Sequence, residues 1–144
     1  MTVTLGTLAA RTGLAVDPHL ASDIAIPVVA GPQAQGDLVV IPIDMLAAAV
    51  TVRPDAGWVQ VSAGGVEVIR GAAMGNPHQL VADAGTCRWT TQATDRDGLA
   101  IGVLEASAPV WLLHREHGAT GIAPGTYVVR RQREQADALR LVAD

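Results

Sequence analysis

The feature that most constrains this chain is its punctuation. Fifteen glycines and eight prolines in 144 residues divide a sequence that is 49% hydrophobic into apolar runs of roughly four to seven residues, the length of a strand. Val and Ile dominate many of these runs, and turn chemistry bounds them: GPQAQG, PDAG, AGG and ATDRDG. Runs recurring every 8 to 12 residues or so predict about nine short strands. The expected fold is therefore mainly β, a compact barrel, sandwich or β-roll with short helices at the two ends. No βαβ alternation and no repeat of fixed period is present. Ala63-Gly64-Gly65 lies between two β runs and opens no helix, so it does not read as a phosphate loop.

Helical spacing is confined to short stretches. Leu5, Leu8 and Ala9 follow Thr4, a candidate N-cap, and precede Gly13, a stop. Residues 44–50 predict one or two turns with Asp44 as N-cap. Near the C-terminus Ala136, Leu139, Leu141 and Val142 suit a helix or an arm that packs on a neighbour. The chain thus divides into residues 1–22 (N-terminal helix or arm), 23–133 (β domain) and 134–144 (C-terminal helix or arm), one structural domain overall. Between these ends, strands are expected over residues 23–30 and 37–43, where Pro27 and Pro42 call for sheet edges or bulges. Further strands are expected at 51–53, 58–62, 66–70, 78–81, 87–92 and 99–105. Residues 109–134 predict a hairpin with a long loop: an apolar run, the cluster His114-Arg115-Glu116-His117, a turn at Pro124-Gly125, and an exit strand over 126–133.

Composition narrows the function classes. A net charge of −4 offers no excess positive field, so nucleic-acid binding is not expected. No apolar run approaches the roughly 20 residues of a membrane span, and no basic leader precedes an apolar segment, which sets a cytoplasmic location as the expectation. The single cysteine, Cys87, cannot form an internal disulfide and reads as a small core hydrophobe. Trp58, Trp89 and Trp111 are expected to fill a core or an interface in a chain with no Phe. With only 17% charged residues the surface keeps apolar patches, which points to a homo-oligomer, a trimer or a larger symmetric assembly.

Two constellations could carry chemistry. His114 and His117, spaced by two residues, could join His78 around zinc or a similar divalent transition metal; the alternative is that no cofactor binds and the histidines bond to loop groups. Glu116 beside either histidine is a candidate acid/base. Arg130, Arg131 and Arg133 are candidates for an anion site or for interface salt bridges to Glu105, Glu116 or Glu134. In an extended strand Arg131 and Arg133 share a face with Tyr127 and Val129, so that face begins in the core and emerges charged.

Several of these motifs together resemble a family of small uncharacterised bacterial proteins. The resemblance is carried by Gln35-Gly36-Asp37, Ile41-Pro42, His114-Arg115-Glu116-His117, Pro124-Gly125-Thr126-Tyr127, Arg130-Arg131-Gln132-Arg133-Glu134 and Val142-Ala143-Asp144. Where that family has a Gly-His-x-His loop, this chain reads Gly75-Asn76-Pro77-His78, keeping the second histidine and losing the first. The resemblance brings no activity with it. The function expected is a non-enzymatic self-assembling or interaction module, more in keeping with the residues than an enzyme. The alternative is a metal-binding protein or metal-dependent hydrolase built on the histidines.

Overall fold

The computed structural model describes residues 3–69 and 77–132. Among these described residues lie one α-helix, α1 (Leu5–Thr12), and strands β1 (Val28–Val29), β2 (Gln33–Gln35), β3 (Leu38–Pro42), β4 (Val50–Val52), β5 (Val59–Gln60), β6 (Val66–Ile69), β7 (His78–Val81), β8 (Cys87–Thr90), β9 (Ala93–Asp95), β10 (Ala100–Ala106), β11 (Val110–His114), β12 (Gly118–Ile122) and β13 (Gly125–Arg131). The fold is mainly β, as the punctuation predicts, and the strands form no closed barrel. One sheet runs β1-β12-β11-β7-β6, a second runs β2-β3-β13-β10-β8-β5, and β4 pairs with β9 alone. All pairings are antiparallel except β1 with β12.

Burial explains the layering. The two large sheets share one core, to which the first gives Leu80, Val110, Leu112 and Ile122 and the second gives Leu38, Val40, Trp89, Leu104, Tyr127 and Val129. The outer face of the first sheet is covered by α1, where Leu5 and Leu8 pack on Val81, Trp111 and Leu113. The outer face of the second is covered by β4, β9 and a 3-10 turn, Ile43–Leu46, with Val50, Val103 and Val128 at the centre. Strands buried on both faces lose the polar/apolar alternation of a half-exposed strand, which is why every residue of β11 is buried. Helix α1 begins and ends where its sequence says. The Thr4 side chain accepts a hydrogen bond from the Thr7 N–H, and Gly13 takes a left-handed conformation whose N–H donates to the Ala9 carbonyl.

Four expectations are corrected. The hairpin over residues 109–134 does not form: β11 turns back at His114 to pair with β12, while β13 joins β10 and β3 in the other sheet. The sequence Gly118-Ala119-Thr120-Gly121-Ile122 has weak strand propensity, yet Gly121 is needed there, because any side chain would strike the Pro27 carbonyl and Val28 of β1. Residues 44–50 do not form an α-helix capped by Asp44. A 3-10 turn, Ile43–Leu46, has Pro42 at its cap position with no side-chain bond, and Val50 already belongs to β4. The strand expected over residues 23–30 shrinks to Val28–Val29, since Pro27 can accept but not donate a ladder bond. That strand does lie at an edge; β3 does not, and Pro42 is tolerated because β2 reaches only as far as Val40. Cys87, Trp89 and Trp111 are buried, and Trp58 packs partly buried beneath the Arg88 guanidinium, 4.0 Å from its ring centroid. The C-terminal helix or arm lies outside the described residues.

Candidate functional site

The predicted histidines meet at one end of the two-sheet stack. His114 is the last residue of β11, His117 ends the turn to β12, and His78 opens the neighbouring strand β7. Ring centroids are 4.4 Å apart for His78 and His114, 4.5 Å for His114 and His117, and 6.4 Å for His78 and His117. The cluster is closed from above by the β2–β3 turn of the other sheet, Gly36-Asp37. Gly36, at φ +59, lies against the His117 ring. Gln132, just past β13, ties this turn down by donating its side-chain amide to the Gly36 carbonyl at 2.6 Å and its N–H to the Asp37 carbonyl at 3.0 Å.

The hydrogen bonds fix what each ring can do. Gln35, buried, donates its amide to the Leu112 carbonyl at 2.8 Å, so its carbonyl oxygen faces His78 Nδ1 at 3.0 Å as an acceptor. His78 Nδ1 therefore carries a proton. Its other nitrogen, Nε2, stands 3.2 Å from Asp37 Oδ1. Burial pushes the His78 pKa down, the neighbouring His114 pushes it further, Asp37 works upward through its hydrogen bond and charge, and His117 adds a downward contribution, leaving it at about 4. Both ring nitrogens thus face acceptor oxygens, and the neutral ring that burial favours can donate only one of the two bonds. His114 is committed differently. Its Nδ1 accepts the backbone N–H groups of Glu116 (3.0 Å) and His117 (3.2 Å), so this ring caps the turn that positions its neighbours.

Two imidazoles on one tetrahedral ion, with nitrogen–metal bonds of about 2 Å, place their ring centroids about 5 Å apart. The 6.4 Å between His78 and His117 exceeds this, and His114 Nδ1 is already used. Among the described residues no group of three or more His, Cys, Asp or Glu is arranged to hold a metal. Glu116 is exposed on the turn and joins the cluster through its backbone N–H.

The arginines separate. Arg130 is 6% exposed and pairs within its own chain, at 2.8 Å with Asp95 and 3.2 Å with Asp97 of the β9–β10 loop. Arg131, one residue on, is exposed on the face that Tyr127 and Val129 bury deeper in the strand. Arg133 lies outside the described residues. Glu105 is engaged by Arg88 of the same chain, through two bonds of 3.2 Å, and Arg115 reaches Asp17 at 3.4 Å. The residues sequence reasoning left out of the site are Gln35, Asp37 and Gln132. They come from other strands, and only the pairing of the sheets brings them to the histidines.

A family model described as a domain of unknown function (DUF8820) matches residues 34–132. The chain belongs to this family. The match contains the whole β2–β3 turn, His78, the His114–His117 turn and Gln132, so every part of the end cluster lies within the DUF8820 domain. No curated protein and no solved structure matches the chain. No helix among the described residues is long and apolar enough to cross a membrane.

Proposed function

We propose that this DUF8820 protein is a non-enzymatic module that self-associates through the open edge of its first sheet. One observation carries the reading. Both residues of the edge strand β1 stay exposed, Val28 at 45% and Val29 at 41%. A two-residue parallel edge strand bearing exposed valines invites pairing with a second chain, and a second copy of this chain is always at hand. Val59 repeats the pattern on β5, the edge of the other sheet. The end cluster agrees with a structural role for the histidines, because His114 Nδ1 accepts the backbone N–H groups of its own turn and Gln35 links His78 to the Leu112 carbonyl of β11. Light scattering at micromolar concentration tests this: the wild type should run as a multiple of 14.9 kDa. The double substitution Val28→Lys, Val29→Lys should return it to a single chain with its β-rich circular dichroism intact. A monomeric wild type removes the reading.

A second reading rests on the Asp37–His78 contact. His78 Nε2 and Asp37 Oδ1, 3.2 Å apart, have the separation that a tetrahedral ion with bonds of roughly 2.0–2.2 Å imposes on two ligands, and a cation between them bonds to both. In this reading the protein handles a divalent transition metal such as zinc. Calorimetric titration of the metal-free protein with zinc should then give one site per chain that His78→Gln abolishes. A flat titration of the wild type eliminates it.

A further inference from the structure

The hydrogen bonds around β1 restrict what can pair with it. In the parallel ladder with β12, the Pro27 carbonyl accepts the Gly121 N–H at 3.2 Å and the Val29 carbonyl accepts the Ala123 N–H at 3.0 Å. Main-chain groups alternate sides along a strand, so the N–H and C=O of Val28 point away from β12. The residues two positions away on that same side are engaged. Ile26 donates its N–H to the Val3 carbonyl at 2.9 Å, next to the antiparallel bridge of Thr4 with Ala25. The Ala30 carbonyl accepts the Tyr127 hydroxyl at 3.3 Å. Among the described residues β1 pairs with β12 alone, so Val28, 45% exposed, offers one donor and one acceptor outward. Its side chain lies on the face that α1 covers: Gly121 stands opposite Trp111, and Val28 Cγ2 lies 3.1 Å from where a Cβ on Gly121 would be.

One donor and one acceptor on a single residue are complementary to themselves. An antiparallel partner that sets its own Val28 opposite this one exchanges both bonds. A shift of one residue meets groups turned the other way, and a shift of two meets Ile26 or Ala30, whose groups are engaged. A parallel copy fails similarly, because Val28 would then bond to two residues of the facing strand, one of them engaged. An unrelated peptide draws its affinity from a run of main-chain bonds, and this edge offers a single residue.

We infer that two copies of the chain meet antiparallel at β1 about a two-fold axis through Val28, joining their first sheets into one continuous sheet and closing the assembly at a dimer. The inference rests on the self-association proposed above and adds its register and symmetry. Val28→Cys and Val29→Cys are compared under mild oxidation at low micromolar concentration. In this register the two Val28 Cα atoms are about 5.5 Å apart, inside the roughly 4.4–6.8 Å range of disulfides. The two Val29 Cα atoms are diagonal neighbours at about 7–8 Å, outside it. Cys87 does not interfere, being buried with its thiol pushed up to about 11, chiefly by that burial. Val28→Cys should form a two-chain disulfide, read by non-reducing mass, at least ten times faster than Val29→Cys. The unsubstituted protein supplies a second measurement. Light scattering should give twice 14.9 kDa, and filtered NMR on mixed labelled and unlabelled chains should show Val28 of one chain in contact with Val28 of the other. A trimer or larger species, an oligomer without that contact, or Val29→Cys cross-linking as fast as Val28→Cys overturns the two-fold register and leaves self-association standing by another geometry. A monomeric wild type overturns both.

Discussion

Gly36 and His78 show how much of the end cluster hangs on single residues. A Cβ on Gly36 would stand 2.8 Å from His117 Cδ2 and 2.9 Å from Nε2, on a backbone at φ +59 that L residues seldom adopt. Gly36→Ala should therefore cost about 1–3 kcal/mol, measured as a lowered urea midpoint with unchanged slope, and should displace the His117 ring resonances in NMR. His78 makes a prediction about pH. Its folded pKa, about 4, lies below the ordinary 6.5, so between these values the unfolded chain binds the proton and the folded chain does not. The stabilisation from keeping His78 neutral is complete above about pH 6.5 and is lost as pH falls toward 4, on the order of 3 kcal/mol in all. Asp37, His114 and His117 are the ionisable groups that face it. Urea unfolding at several pH values from 7.5 to 4.5 should show a steeper decline for the wild type than for His78→Gln. Parallel curves would mean that another group sets the acid limb.

At the scale of elements, the β9–β10 loop and β13 are held to one another by charge. Asp95 is buried beside Arg130, at 4% and 8% side-chain exposure, and also accepts N–H groups from Asp97, Leu99 and Ala100. Burial works to raise the Asp95 pKa, but the N–H bonds from Asp97 and Ala100, the Arg130 charge and the Leu99 N–H together hold it below the usual carboxylate range. Removing the cation leaves a buried carboxylate with only backbone donors. Arg130→Ala should destabilise the domain by about 3–5 kcal/mol, and Arg130→Met should recover part of this by packing the stem against Val128 and its neighbours. Equilibrium denaturation of the two variants checks both claims. The same region shows why β13 was easier to find than to place. Its run of Tyr127, Val128 and Val129 announces a strand, but whether it pairs with β11 or with β10 depends on which sheet offers matching register. On the other side of β10 a glycine matters: Gly102 leaves room for the Trp89 indole and the Thr90 carbonyl of β8, where any side chain would collide.

For the whole molecule, stability comes from layers rather than from any one sheet. Each large sheet is buried on both sides, once by its partner sheet and once by a local cover, α1 on one side and β4, β9 and the 3-10 turn on the other. Helix α1 has only eight residues, too few to persist alone in water, so its packing decides its existence. Leu8 is fully buried at that contact. Leu8→Ala should cost about 2–5 kcal/mol and, because α1 covers β7 and β11, should raise hydrogen exchange in the first sheet more than in the second.

The sequence by itself determined the elements whose causes are local. Gly and Pro cut the chain into strand-length pieces, Thr4 and Gly13 bound α1, and the alternation from Tyr127 to Arg131 takes that strand from core to surface. These follow from backbone sterics and side-chain period, which act over a few residues. Tertiary structure alone decided the rest. Strand β12 exists because β1 and β11 flank it, not because Gly118-Ala119-Thr120-Gly121-Ile122 favours extension. The candidate site draws Gln35, Asp37 and Gln132 to His78, His114 and His117 from the turns and ends of both sheets. Pairing partners are chosen by register and by the burial of whole faces, and these are sums over the entire chain that no single stretch of sequence contains.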